Sequence, residues 1–295
     1  MRGYLTDDGG YLQKKHYLCS MKAINLISKL IYPTPKLDAV ETARSFEGRW
    51  VVITGASHGI GEALVRRLIS AGAHLCLIAR DKEQLEKLCE RAKISGCEAQ
   101  CWAQDLYNRD HADQLFRVLR VVLPRVDYLF CNAGKSIHRD ISVAADATDR
   151  MHDYDRTMEL NYRAHVALTL ALLPLLEKSG GHVIYTSSVS TLYPPAPGWS
   201  AYHASKCAAN TWYGTARTEL SRKGISVQVA YMPLVHTAMA DVNPAYRDLP
   251  GYTADEAACQ LLKLSLSRRY SYKPWWARLS APLANLFAPI VKQFY

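Results

Sequence analysis

The chain has 295 residues, 49% hydrophobic and 21% charged, with a formal net charge of +9. That length suits one large α/β domain with a full core, and the composition excludes a disordered, fibrous or disulfide-stapled chain. The charge is uneven: no acidic residue follows Glu256, whereas Lys263, Arg268, Arg269, Lys273, Arg278 and Lys292 do.

Residues 1–47 read as an N-terminal extension without chemistry of its own. Tyr17–Tyr32 is mixed apolar and basic, and Pro33-Thr34-Pro35 ends whatever helix it forms. Lys22 and Lys29 interrupt the apolar stretch, so it makes a poor secretory signal, and Met21 is a second candidate start. From Arg49 the pattern becomes regular. Trp50–Thr54 is a short apolar strand ending at Gly55, and a helix begins near Gly59. His74–Ala79 is a second strand, followed by an amphipathic helix with Leu85, Leu88 and Ala92 on one side. A strand at Glu98–Ala103, a helix at Arg109–Val122 and a very apolar strand at Tyr128–Cys131 come next. A long helix is expected over Asp155–Leu176, then a strand at His182–Thr186, a helix at Ala201–Arg222 and a strand at Ile225–Tyr231. Strands alternating with helices predict one Rossmann-type domain over residues 48–267. Its doubly wound parallel sheet carries helices on both faces.

Tyr202 and Lys206 stand four residues apart in the predicted helix Ala201–Arg222, which puts both on one face. An ammonium beside a phenol favours the phenolate, so this pair predicts a tyrosine of lowered pKa, able to exchange a proton with a carbonyl oxygen. Thr54-Gly55-Ala56-Ser57-His58-Gly59-Ile60-Gly61 sits where the first strand turns into the first helix. Glycines there permit a tight turn and close backbone approach, and the helix start offers free amides to a pyrophosphate. Arg80 ends the second strand where a carboxylate would hold the ribose hydroxyls of NAD. A guanidinium suits a 2′-phosphate instead and favours NADP(H), with His58 a further neighbour for that phosphate. Asp81 follows at once and equally suits the start of the next helix.

Asn132-Ala133-Gly134 follows the fourth strand, Asn161 lies inside the long helix, and Ser187 and Ser188 close the fifth strand. With Asp105-Leu106 after the third strand, these motifs in this order resemble the short-chain dehydrogenase/reductase family over about residues 48–258. The resemblance implies that Tyr202 is the acid/base, Ser188 holds the substrate oxygen, Lys206 binds the nicotinamide ribose and acidifies Tyr202, and Asn161 holds a relay water. It also implies that Asp105 and Leu106 face the adenine. Asn132, Ala133 and Gly134 would back the cofactor, with Val235 and Thr237 beside the nicotinamide.

Two departures from the family pattern matter. Ser188 stands fourteen residues before Tyr202, a longer span than usual; the loop Tyr193-Pro194-Pro195-Ala196-Pro197-Gly198 accounts for it, with Ser190 as the other candidate. After the sixth strand, Pro233 takes the place of the usual glycine in Met232-Pro233-Leu234-Val235-His236-Thr237. That second stretch, with Asn132–Arg139 and Asp149–Asp153, is similar to the bacterial long-chain fatty acyl-CoA reductase branch. The similarity implies reduction of a fatty acyl thioester to an aldehyde; reduction of a ketone or aldehyde on another lipid, or a non-catalytic NADP(H)-binding regulator, stays open. Trp199, Tyr193, Leu234 and Met239 are candidate walls of an apolar pocket.

The eight cysteines, from Cys19 to Cys259, form no Cys-x-x-Cys pair. They read as reduced residues of a cytoplasmic protein, and the ten histidines show no ligand spacing, so no metal is expected. Residues 268–295 form a basic tail in which Trp275, Trp276, Leu279, Leu283, Leu286, Phe287, Ile290, Val291 and Phe294 interleave with the charges. This mixture points away from nucleic acid and leaves two readings: a peripheral seat on the inner membrane face, or a contact in a homodimer or homotetramer.

Overall fold

Apolar runs as dense as Val51-Val52-Ile53 and Leu75-Cys76-Leu77-Ile78 need cover on both faces, and the fold supplies it. The computed structural model describes residues 29–241 and 244–291. Residues 29–34 fall in a unit of their own, helical through Ile31. Cys19, Met21, most of Tyr17–Tyr32, Lys292 and Phe294 lie outside the described residues.

From Pro35 onward the elements run α1 (Ala39–Phe46), β1 (Trp50–Thr54), α2 (Gly59–Ser70), β2 (His74–Ala79), α3 (Lys82–Ile94), β3 (Ala99–Ala103), α4 (Arg109–Val122) and β4 (Tyr128–Cys131). Then come α5 (Ile141–Asp146), α6 (His152–Met158), a π-helical turn (Glu159–Arg163), α7 (Ala164–Ala171), α8 (Leu173–Ser179), β5 (His182–Ser188) and a 3₁₀ turn (Val189–Leu192). The chain closes with α9 (Ser200–Arg222), β6 (Ser226–Met232), β7 (Val235–His236), β8 (Tyr252–Thr253), α10 (Ala254–Ser265), β9 (Ser271–Tyr272) and α11 (Trp275–Val291).

Seven strands pair in parallel in the order β3-β2-β1-β4-β5-β6-β9. The order reverses between β1 and β4, and a doubly wound sheet opens a crevice at that point, outside the carboxyl ends of its strands. On one face α4, α7 and α9 bury Phe116, Leu168 and Tyr213 against the sheet, and α2 packs with α10 in the remaining layer. Helix starts are fixed by side-chain caps: Asp81 accepts from Gln84 N, Asn108 from His111 N, and Thr253 with Glu256 forms a capping box.

The structure departs from the sequence expectations in three places. The long helix over Asp155–Leu176 is broken into α6, the π turn, α7 and α8. Leu172 ends α7, and Pro174 opens α8 where a missing amide costs nothing. A seventh strand, β9, extends the sheet; two residues are too short for any periodicity to reveal. Residues 35–47, read as extension, belong to the same unit as the sheet. Phe46 is fully buried and its ring centroid lies 4.5 Å from that of Tyr128 on β4.

Truncating that anchor leaves a cavity that the rigid sheet fills poorly. Phe46→Ala is therefore expected to cost about 3–5 kcal/mol, read as a lowered denaturation midpoint at unchanged slope.

Candidate active site

Helix α9 presents Tyr202 and Lys206 on one face, and the carboxyl end of β5 meets them. Lys206 is only 5% exposed; its Nζ donates to the Thr186 carbonyl at 2.8 Å and lies 4.9 Å over the Tyr185 ring. Burial pushes the ammonium down to about 7, because no carboxylate stands by to offset desolvation. Tyr202 is likewise pushed above its ordinary value by burial, with the Ser188 hydroxyl, hydrogen-bonded to it, acting in the opposite direction. The direction at Tyr202 is thus set by burial, whereas the sequence led to an expectation of a lowered value through Lys206. Lys206 is itself driven towards neutrality, and one of its N–H donors goes to the Thr186 carbonyl.

Ser188 Oγ accepts from Ser190 N at 3.2 Å and shares a hydrogen bond with Ser190 Oγ at 2.9 Å. The chain curls here into the 3₁₀ turn, closed by Thr191 Oγ1 donating to the Ser188 carbonyl at 2.8 Å. Both serine hydroxyls line the same cavity, so the longer span to Tyr202 brings Ser190 up beside Ser188 and displaces neither.

Asn161 sits in the π turn, where i→i+5 bonding leaves carbonyls free for other partners. Its own carbonyl accepts from the buried Tyr185 hydroxyl at 2.9 Å. Its side chain accepts from Lys135 N at 2.8 Å and donates to the Lys135 carbonyl and to Ser205 Oγ, both at 2.9 Å. Both amide protons are consumed by these contacts. Asn161 therefore pins the 132–139 loop to α9, and holding a relay water would fall to its remaining oxygen lone pair. Glu159, buried and paired with Arg109 and Arg163, secures the turn from below.

The loop after β4 is held by Thr54, whose Oγ1 accepts from Asn132 N and Ala133 N at 3.0 Å each and contacts His165 Nε2 at 3.2 Å. His165 is fully buried and pushed down to about 3 by desolvation first and the nearby Lys206 second, so it stays neutral at physiological pH. A Cβ on Gly134 would stand 3.2 Å from Asn161 Oδ1 and 3.5 Å from Lys206 Nζ, which explains the smallest residue there.

The glycine turn holds its shape through close backbone approach. Gly55 takes a φ of +68°, and a Cβ on Gly61 would fall 1.9 Å from the Gly55 carbonyl. His58 caps α2 without a side-chain bond to its amides, so the first turn keeps its donors open. Asp81 settles as the cap of α3, and it also faces His58 Nε2 at 3.5 Å. Arg80 is exposed, with no ion-pair partner among the described residues.

All the residues expected around the dinucleotide line one cavity of about 1390 Å³, except Gly61 beneath the turn; Asn161 stands behind the loop. The expected walls Tyr193, Trp199, Leu234 and Met239 line it too. Tyr246 and His138 were missed as wall residues. Trp199 stacks on Tyr246 with centroids 6.1 Å apart, packs against His138 at 4.9 Å and meets Tyr202 edge-on at 5.9 Å. Tyr246 comes from a stretch with no periodicity, and nothing in the sequence marked it.

A Tyr–Lys pair at the carboxyl edge of a doubly wound sheet, the lysine buried and the tyrosine half-buried, facing an open glycine turn, defines a dehydrogenase or reductase of the dinucleotide-binding kind. The family model for short chain dehydrogenases matches residues 49–247, and the chain belongs to that family. It is 37% identical to a fatty acyl-CoA reductase of Acinetobacter baylyi, over 76% of this chain and 74% of that one. It is 33% identical to a fatty acyl-CoA reductase of Mycobacterium tuberculosis, over 77% and 76%. A solved short-chain dehydrogenase from Sphingobium yanoikuyae in complex with NADPH is 26% identical, with a TM-score of 0.68 over 81% of this chain and 95% of that one.

The Lys206 shift carries a stability signature. Its folded value of about 7 lies below the ordinary 10.5, so between those pH values the unfolded chain binds more protons. The Lys206 contribution to stability therefore rises with pH across that window, by up to about 1.4 kcal/mol per pH unit. Lys206→Met is expected to be more stable than the parent at pH 7 and to lose that advantage by pH 10, in denaturation curves at each pH.

Proposed function

We propose that this protein is an NADPH-dependent reductase of long-chain acyl thioesters, releasing a fatty aldehyde and a free thiol. The observation that carries the reading is the cavity: beyond the residues expected around the dinucleotide it holds Ser188, Tyr202 and Lys206, and next to these it is walled by Tyr193, Trp199, Leu234, Met239 and Tyr246. An alkyl chain needs such a wall, and the carbonyl needs those polar groups. The relatives named as fatty acyl-CoA reductases support the same substrate class.

The residues present fit a dinucleotide. Open amides of α2 and the Gly55–Gly61 turn suit its pyrophosphate, the side-chain-free space at Gly134 leaves room beside Lys206, and exposed Arg80 with His58 suits a 2′-phosphate. When bound, NADPH supplies the hydride. Ser188 donates a hydrogen bond to the carbonyl oxygen where negative charge develops. Tyr202, held protonated by burial, gives its proton to that oxygen, which suits reduction more than the reverse reaction. Lys206, near neutrality and one turn away, is placed to pass a proton back to Tyr202. Collapse of the resulting hemithioacetal breaks the carbon–sulfur bond and returns one thiol for each NADPH consumed. No cysteine is needed: Cys131 is buried and pushed up to about 12, far from a thiolate.

The test is NADPH consumption with palmitoyl-CoA, a matched aldehyde and a 3-ketoacyl ester, with thiol release followed in parallel. One thiol per NADPH with palmitoyl-CoA is expected; turnover of only the ketone or aldehyde, without thiol, replaces the substrate assignment. Tyr202→Phe should lower kcat about a thousandfold while NADPH still binds by fluorescence titration. Arg80→Ala should weaken NADPH about tenfold and leave NADH nearly unchanged.

A further inference from the structure

Helix α11 has two faces of different character. Its inner face carries Ala277 and Ala281, 1% and 5% exposed, and is fastened to the loop that follows β5. Ser280 Oγ meets the Tyr193 hydroxyl at 2.5 Å, and Asn285 Nδ2 donates to the Leu192 carbonyl at 2.7 Å. Its outer face exposes Leu279, Leu283, Leu286, Phe287 and Ile290, between 51% and 70% each. Their spacing of three or four residues makes one continuous stripe. Five large apolar residues in one solvent-facing stripe need a cover.

We infer that this stripe seats the protein on an anionic lipid surface, with α11 lying in the interface plane. Charge complementarity selects this occupant. Arg278 is exposed on α11 next to Leu279, Lys263, Arg268 and Arg269 are exposed in the segment that leads to the helix, and no acidic residue follows Glu256. An amphipathic helix with apolar residues on one side, no acid along its length and basic residues on it and just before it is the form that binds headgroups and acyl chains together. A second copy of this chain would set the same acid-free, arginine-bearing helix against itself, with no carboxylate on it to meet Arg278.

The seat also bears on the site. Tyr193, bonded to α11 through Ser280, is itself a wall of the reaction cavity, and the adjoining turn carries Ser190. The interface helix and the cavity wall are thus one mechanical unit, placed to take an apolar substrate from the bilayer. That consequence rests on the acyl-substrate reading; the lipid contact itself does not.

The test is flotation of the full chain with vesicles of phosphatidylglycerol and, separately, of phosphatidylcholine. Capture by the anionic vesicles is expected, falling at least about tenfold in the triple variant Leu279→Ser, Leu283→Ser, Leu286→Ser. Arg268→Glu with Arg269→Glu and Arg278→Glu should lower it on the order of a hundredfold. These side chains are exposed, so circular dichroism should report an unchanged fold. Quenching of tryptophan emission by bromolipid in the parent chain, reduced in Trp275→Phe, gives a second readout that needs no stripe variant. Undiminished capture of the Leu→Ser variant overturns the proposal, as does equal capture by neutral vesicles. So does a stripe variant that dissociates an oligomer while the parent ignores vesicles. Loss of vesicle binding with NADPH turnover intact would separate failure of the lipid seat from failure of the proposed chemistry.

Discussion

A lysine ammonium enclosed at the carboxyl edge of the sheet is the constraint on which the rest of the site depends. Taking that charge out of water is costly, and the fold offsets the cost with one carbonyl from Thr186 and the face of the Tyr185 ring. Those two contacts fix the register of α9 against β5, because a slip of one residue would turn Lys206 away from both. With α9 fixed, Tyr202 one turn earlier must lie beside Ser188, where its burial keeps it protonated. The loop after β4 runs close to the same lysine: a Cβ at Gly134 would touch Nζ and crowd Asn161 Oδ1. Sheet, helix and loop thus each meet at one buried amine.

That arrangement explains which parts were legible in the sequence. The strands could be read because parallel strands covered on both faces are continuous apolar runs, and a helix such as α3 because Leu85, Leu88 and Ala92 fall on one side. Tyr202, Lys206, Ser188 and the glycine turn stood out because their chemistry lies in residue type and local spacing. The sign of the Tyr202 shift did not, since spacing shows a neighbouring charge but not how much water each group has lost. Nor did the break at Glu159–Arg163 show: a π turn adds one residue without changing the apolar pattern, and its cause is long-range, in Tyr185, Arg109 and Asp113.

Within the apolar wall, Tyr193, Trp199, Leu234 and Met239 were legible, but the stacking that assembles it was not. Trp199 and Tyr246 meet through a stack between segments more than forty residues apart, and neither segment has a period to follow. Pro233, in place of a glycine, is followed by Leu234 and Val235, both at the cavity, and β7 pairs with β8 to carry the chain towards α10. A fold of this kind holds its chemistry on strands and helices and its selectivity on loops. Similarity to relatives therefore speaks more firmly for the reaction than for the substrate.

Helix α11 joins these two levels. Pro282 and Pro289 interrupt its backbone bonding seven residues apart, so its persistence owes less to its own ladder than to what it packs on. The inner contacts to Leu192 and Tyr193 supply one side of that packing. The outer stripe gains nothing from the fold and exposes apolar area to water. A helix weak in itself and held on one side is stable only while that side holds, so what covers the outer face also stiffens the inner one. Because the inner face carries the Ser190–Tyr193 segment, cover on α11 and order in the cavity wall belong to one equilibrium. The Ser190–Tyr193 segment of the cavity wall is in this way tied to the part of the molecule facing its surroundings, while Lys206 joins α9 to the end of β5.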